Sequence, residues 1–517
     1  MYLFALSIGL YSYVIFALGL LGLINKVSIF IATTLYVAVV LYALAEKIHF
    51  KNSFPISLNK KNNIYLLLLS LLICVNIVGV LGPELSFDSL WYHLVFPKLY
   101  IFYHTITYIP GGLLYYSTMP KLGEMLFIPI LLFSNELFVK GIEFLFGLAV
   151  VLCLYKFARQ YFSSTISILV CIVFYSNLVV SWESITSYTD LIWTFFSILA
   201  FMSFISWSKS KNIKFLIFSS LLTGFAITTK VIAIEAILPY ILLLATQSKS
   251  YKSIYVILLY TGGCLLIPLP WFVFSYMHTG NAFYPFFSEL YPIHIIRLNL
   301  YTILKLILTP ADPISPIYII VIPFIFAYFS KFRSEFKIAT IFAFTIFLLW
   351  IFIPQDGDTR FLMPYLPVFS LIVGEILYLS KKSSYFTLLS FIIILICIVS
   401  ITYRSLANIK YIPYILGVES KSEFLLNNLN FKYGDFYDTD DYFAIHIHKN
   451  VLLYGFHNLY YIDFPFIDNT WIKKGDKFYY VAVQHGTIPR LFHKATLTYI
   501  NRVTDVRLYF VGKTVWK

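Results

Sequence analysis

Charged residues are scarce in this sequence, and acids scarcer than bases. Asp, Glu, Lys and Arg make up 12% of the 517 residues, with 25 acids against 38 bases and a formal net charge of +13. A soluble domain carries about 25% charged residues. Hydrophobic residues fill 60% of the chain, more than a globule can hide from water, so lipid must solvate much of it. Cysteine is scarce too. Cys74, Cys153, Cys171, Cys264 and Cys397 all lie in apolar runs, with no CxxC or Cys/His zinc spacing. They read as small buried hydrophobes. None lies beyond residue 397, so no disulfide reports the compartment of the C-terminal region. The basic excess does not point to nucleic acid. Lys and Arg cluster in short loops between apolar runs, the pattern of membrane topology rather than of a basic binding face.

Long apolar runs are what the chain has in abundance. About thirteen read as spans, near residues 2–23, 27–45, 64–82, 137–157, 164–181, 190–207, 213–229, 231–247, 254–270, 316–330, 337–353, 361–379 and 385–402. The first begins at Tyr2 with no basic lead-in and no small-residue cleavage site after it, so it reads as a span rather than a cleaved signal. Lys47, Lys51, Lys60 and Lys61 fall in one connecting loop. Lys156 and Arg159, then Lys209, Lys211 and Lys214, then Lys249 and Lys252 fall in later ones. Lys331, Arg333 and Lys337, and finally Lys381 and Lys382, complete the set. All these loops lie on one side, assigned to the cytoplasm, which puts the N-terminus inside and the C-terminal region outside. Residues 122–133 (LGEMLFIPILLF) are apolar but short for a span, the length of an interfacial or re-entrant helix. Two outer loops are long, 83–136 and 271–315, and these are where function is to be sought.

Beyond residue 403 apolar and polar residues alternate and charge becomes frequent. ESKSEFLLNNL (419–429) reads as a short amphipathic helix, and VLLYGF (451–456), KFYYVAV (477–483) and VRLYFVG (506–512) as strands. The sequence thus predicts a polytopic α-helical membrane protein over 1–402 and a small α+β extramembrane domain over 403–517.

Chemistry-bearing residues gather at outer helix ends. After the third run comes GPELSFDSLWYH (82–93), with Asp88, Tyr92 and His93 within six residues. Asp88 and His93 share a cleft if a turn or short helix follows; equally, Trp91 and Tyr92 suit an interfacial aromatic belt and Asp88 a helix cap. Lys230 lies at an outer span end, against the cytoplasmic tendency of Lys, as a cation for an anionic ligand or as a snorkelling lysine. Arg360 starts a later outer helix, where a guanidinium forks onto phosphate or pairs with Asp356 or Asp358. Asp190 sits at the mouth of another span near Glu183, and Glu124 heads the short apolar segment; charges at membrane ends are cheap. Asn281 and Tyr284 belong to a Gly-Asn turn with an aromatic anchor, or line the second outer loop. His446 and His448 would share one face of a strand and suit a metal, whereas a helix capped by Asp438, Asp440 or Asp441 would separate their rings.

FDSLWYHLVFPKLY (87–100) resembles the start of the first outer loop in GT-C glycosyltransferases, in the bacterial and archaeal branch related to protein O-mannosyltransferases and lipid A aminoarabinose transferases. Further segments resemble that branch in order: YSTMPKLGEMLF (116–127), SYTDLIWTFF (187–196), LLTGFAITTK (221–230), PWFVFSYMHTGNAFYPF (270–286), RFLMPYLPVF (360–369) and YILGVESKSEFL (414–425). The resemblance runs from about residue 85 onward. Two spans precede the one leading to Asp88, whereas simpler members place that acid after their first span, so the resemblance assigns no role to residues 1–60.

The resemblance implies a polyprenyl-phosphate sugar donor, no nucleic acid, and a glycan, lipid or protein acceptor on the outer side. It implies Asp88 as catalytic base, Tyr92, His93, Lys230 and Arg360 as donor-phosphate ligands, and Asp190, Glu124, Asn281 and Tyr284 as acceptor or second-acid candidates. No cofactor is required by the sequence, and a divalent cation is compatible with it. Displacement at an anomeric carbon needs a base for the acceptor hydroxyl, positive charge for the departing phosphate and a groove for the lipid. The rival readings are a lipid-linked glycan transporter or flippase, for which Glu235 within an apolar stretch speaks, a glycan polymerase or ligase, and a non-catalytic scaffold.

Overall fold

The computed structural model describes residues 1–45, 60–247, 252–291, 313–352 and 355–517. Within these, every apolar run folds as helix, but length sorts them. Eight described helices are long and apolar enough to cross a membrane: Tyr2–Leu20, Lys26–Ala43, Asn62–Val80, Glu136–Ala158, Asp190–Ser210, Ser334–Phe352, Thr359–Leu379 and Ser384–Ile415. There are nine if Ile254–Leu266 and Leu269–Thr279, bent by 59°, make one broken span. The expected count of about thirteen is therefore too high.

The excess has a physical origin. Ser164–Tyr175, Ile213–Thr229, Val231–Gln247 and Ile317–Lys331 have only 10–17 residues, short of the roughly 20 that a bilayer needs. Ser164–Tyr175 is buried along almost its whole length, so its apolarity serves the protein core rather than lipid. Ile213–Thr229 stops because Lys230 adopts extended backbone. Apolarity alone cannot separate a core helix from a span. The Asp190–Ser210 helix is the hub, with 89% of its apolar window buried against Glu136–Ala158 and Ile213–Thr229. Lys26–Ala43 is the opposite extreme at 6%, a helix whose sides are left to lipid.

The C-terminal domain is a five-stranded sheet of order β2-β1-β3-β5-β4: β1 Val451–Tyr454, β2 Phe466–Asp468, β3 Lys477–Gln484, β4 Thr496–Asn501 and β5 Val506–Val515. β1 runs parallel to β2 and β3, and β5 antiparallel to β3 and β4. The three expected strands are β1, β3 and β5, and the expected helix is Lys421–Asn428, begun by a Ser420–Glu423 capping box. β2 has three residues and β4 is mostly exposed, so neither shows a buried alternating face. His446 ends the Tyr442–His446 helix and His448 lies beyond it; they share no strand face.

This domain is fastened to the first outer loop. The Lys98 ammonium donates to the carbonyls of Tyr460 (2.5 Å) and Ile462 (2.6 Å). The amides of Leu459 and Tyr460 donate to Leu90 O, and Tyr461 Oη donates to Glu84 O at 2.9 Å. Lys421 pairs with Glu136 at 2.6 Å. Phe96 and Leu99 share one buried core with Phe436, Leu453 and Ile462.

Asp468 sets a pH dependence for this domain. It is buried, accepts from Thr470 N (2.9 Å) and Thr470 Oγ1 (2.8 Å), and its Oδ2 has no partner among the described residues. Burial pushes its carboxyl up to about 6, outweighing the Thr470 bonds; unfolded it titrates near about 3.9. The folded state thus holds the proton more tightly. Stability should rise by up to about 3 kcal/mol as pH falls from 6 toward 4, and be lost as pH rises through 6. Thermal unfolding in detergent across pH 4–7 checks this: Asp468→Asn should flatten the dependence, and an unchanged slope would assign it to other groups.

Candidate active site

The site is built where three chain segments leave the helical body together. The Lys140 ammonium, buried, accepts no competition from water and donates to Gly79 O and Gly82 O, each at 2.7 Å. Gly79 O lies in the last turn of Lys60–Val80 and Gly82 O just beyond it, where helix-end carbonyls need partners. The chain then turns at Glu84, whose Oε1 accepts from the amides of Leu85 (2.9 Å) and Ser86 (2.8 Å) and whose Oε2 accepts from Ser187 N (2.6 Å). One carboxylate thereby ties the 84–88 loop to the 184–189 loop.

Ser89–His93 follows as a single π turn, a geometry concentrated at functional sites. Asp88 precedes it without capping it. Its side chain instead meets Arg360 Nη1 at 2.8 Å and Tyr92 Oη at 3.1 Å, both donating to Oδ2. Its own amide donates to Tyr188 Oη at 3.1 Å. Oδ1 carries no hydrogen bond among the described residues. Burial pushes the Asp88 carboxyl up, but Arg360, then His93 and Lys230, outweigh it and hold it below its ordinary value. Burial and the Asp88 charge push the Tyr92 phenol well up, so Tyr92 remains a neutral donor.

Arg360 lies in the 3-10 stretch Gln355–Tyr365. Its guanidinium stacks over Tyr188 at 4.9 Å and Phe361 at 5.7 Å, with Glu183 at 4.0 Å from Nε. Phe361 also faces the Lys230 ammonium at 5.6 Å. Lys230, the residue that ends Ile213–Thr229, reaches both oxygens of Asp190 at 2.7 and 2.6 Å. Asp190 is fully buried, and Lys230 is 15% exposed. His93 Nδ1 meets Glu124 Oε1 at 2.7 Å, with both side chains buried. Glu124 reaches His93 because Gly123 lets its helix, Leu122–Phe133, approach Thr189: a Cβ at Gly123 would lie 2.3 Å from Thr189 Cγ2.

The structure therefore gathers Asp88, Tyr92, His93, Glu124, Asp190, Lys230 and Arg360. Asn281 and Tyr284 stand apart from them. Asn281 Nδ2 donates to Phe286 O (2.7 Å) and its Oδ1 accepts from Phe283 N (2.9 Å), the turn reading; the Tyr284 ring meets Tyr108. The side chains of Asp356 and Asp358, the expected alternative partners of Arg360, lie outside the described residues, as does 292–312 of the second outer loop. Sequence reasoning passed over Tyr188 and Phe361, although both lie inside quoted segments. It also passed over His457, which stacks on Phe87 at 4.7 Å and brings the C-terminal domain to the edge of the site. Among the described residues no three His, Cys, Asp or Glu side chains are arranged to hold a metal.

Comparisons with known proteins agree with this architecture. Residues 125–274 match the family model of dolichyl-phosphate-mannose-protein mannosyltransferase, a stretch that includes Asp190 and Lys230 but not Asp88 or Arg360. The crystal structure of ArnT from Cupriavidus metallidurans bound to undecaprenyl phosphate is similar over 87% of this chain and 98% of that one, with a TM-score of 0.56 at 12% identity. Its apo state gives the same coverage, a TM-score of 0.53 and 11% identity. The Archaeoglobus fulgidus oligosaccharyltransferase in complex with Zn and sulfate aligns over 80% of this chain and 68% of that one, with a TM-score of 0.43 and 11% identity. No curated protein sequence matches. The chain shares the fold of that ArnT structure, a multi-pass helical body with a C-terminal extramembrane domain.

The Lys230–Asp190 pair predicts a thermodynamic asymmetry. Lys230→Met strands a buried carboxylate and should cost about 3–5 kcal/mol. Lys230→Met combined with Asp190→Asn should lose clearly less. A double-mutant cycle by thermal unfolding in detergent reads the difference; additive losses would mean that the two side chains do not hold each other.

Proposed function

We propose that this protein transfers a sugar from a polyprenyl-phosphate-linked donor to a glycan, lipid or protein acceptor on the outer side of the membrane. The observation that carries the reading is the state of Asp88. Its Oδ2 is held between Arg360 and Tyr92, and its Oδ1 carries no hydrogen bond among the described residues. The fold shared with ArnT and the match to a mannosyltransferase family support it, and the similar ArnT structure holds a lipid phosphate.

In the reaction the acceptor oxygen attacks the anomeric carbon and gives its proton to Asp88 Oδ1. The bond from that carbon to the phosphate oxygen breaks, and its electron pair leaves with the lipid phosphate. A positioned carboxylate is a competent base because proton transfer accompanies attack. Attack opposite the leaving group inverts the anomeric configuration. Arg360, bonded to the base, is the guanidinium that would take the charge growing on phosphate. Asp190 positions the Lys230 ammonium beside the same ring, Phe361. The basic loops support a cytoplasmic N-terminus, and the C-terminal domain packs on the Asp88 loop and so shares its side.

The test is transfer from a panel of radiolabelled polyprenyl-phosphate sugars to envelope acceptors, in membranes with matched expression. Wild type should transfer from one donor, and Asp88→Asn should lose about 10²–10⁴-fold. Equal transfer by the two would remove Asp88 from the mechanism, and no transfer by wild type from any donor would contradict the reading.

A further inference from the structure

Aromatic side chains converge beside Asp88. The innermost is Tyr92, whose phenol donates to Asp88 Oδ2. Its ring lies 5.1 Å from that of Trp91 and 5.1 Å from that of Tyr116. Trp91 in turn lies 5.8 Å from Tyr115 and 6.0 Å from Phe87. Phe87, the residue before Asp88, stacks on His457 at 4.7 Å with 28° between the ring planes. Residues 87–92, 115–116 and 457 thus supply one continuous wall of rings, which starts at the bond to Asp88.

Packing alone does not account for this wall. A ring kept for the core is buried, whereas Phe87 is 42% exposed and Trp91, Tyr92, Tyr115, Tyr116 and His457 are partly exposed. A belt at headgroup depth needs no ring from an extramembrane domain, whereas His457 follows β1 of the C-terminal sheet. The His457 Nδ1 meets Asn458 Oδ1 at 2.9 Å, which holds the imidazole against Phe87. Trp91 Nε1 donates to Leu113 O at 2.9 Å, so the indole offers a face rather than a donor. Tyr115 and Tyr116 meet through their phenols at 3.0 Å, a polar edge on an otherwise apolar wall.

Exposed ring faces with hydroxyls at their edge match one chemistry. The C–H bonds on one side of a sugar ring lie against the negative face of an aromatic ring, while its hydroxyls reach outward to polar groups. An acyl chain has no use for the phenols, and an extended peptide is held mainly through its main chain. We infer that the wall is the acceptor subsite and that the acceptor is a carbohydrate: one sugar residue stacks on Phe87 and Trp91 and so brings a hydroxyl to Asp88. This rests on the proposed sugar transfer and deepens it, selecting a glycan from the three acceptor classes. It also gives the C-terminal domain a part in the site, because His457 backs the ring on which the sugar lies.

The experiment follows the acceptor. Membranes bearing the protein are given radiolabelled polyprenyl-phosphate sugar, and the product is divided into lipid extract, protease-released peptide and the glycan that resists both. Label from wild type should enter the glycan. That glycan fraction, free of lipid and protein, is then the added acceptor for detergent-solubilised protein, and its KM is read at fixed donor. Phe87→Leu keeps apolar bulk and removes the ring face; it should raise the acceptor KM about tenfold and leave the donor KM within about twofold. Phe87→Tyr keeps the face and should hold the wild-type acceptor KM. Thermal unfolding confirms that the variants compared are folded. Wild-type label in the lipid or peptide fraction, or an unmoved acceptor KM in Phe87→Leu, would overturn the carbohydrate subsite and leave sugar transfer standing. Absence of transfer by folded wild type would overturn the transfer reading, and this inference with it.

Discussion

A carboxylate held out of water needs a cation, and Asp88 takes its cation from a segment 272 residues away. That single pairing links the first outer loop to the start of the Thr359–Leu379 helix, and much of the architecture serves to bring the two together. The Glu84 bracket and the Lys140 ammonium fix the Asp88 loop from below. Tyr188 supports it from the side, bonding the Asp88 amide while its ring carries the Arg360 guanidinium. Removing either charge would leave the other buried and uncompensated, which is more damaging than losing both.

Around this pair the site repeats one device. Asp88 with Arg360, Asp190 with Lys230 and Glu124 with His93 are each a carboxylate matched to a basic group. The pairing keeps ionisable side chains tolerable at the edge of a bilayer. The C-terminal domain completes the enclosure. Its backbone bonds Leu90, and His457 lies on Phe87, one residue before Asp88, so the extramembrane domain and the Asp88 loop are one packed unit.

How much of this the sequence discloses depends on range. Local signals were readable: apolar runs become helices, the Ser420–Glu423 box begins a helix, and Leu122–Phe133 is the short helix its length suggested. The sorting of helices into spans and core was not readable, because Ser164–Tyr175 is as apolar as its membrane-crossing neighbours and differs in where its helix stops and in what covers it. Asp88 and His93 stood out by proximity in the chain. Their partners did not, since Glu124 lies 31 residues from His93, and Asp190 lies 40 from Lys230; no local pattern encodes those meetings. Asn281 and Tyr284 show the converse, a motif whose polar groups close their own turn.

The account turns on Asp88 acting as a base in a single displacement. The anomeric configuration of the transferred sugar, read from the one-bond carbon–proton coupling of the product by NMR, tests this most directly. Direct attack with Asp88 taking the acceptor proton predicts a product inverted relative to the donor. A retained configuration would require two displacements through a covalent sugar intermediate, and would contradict a base that never bonds to carbon.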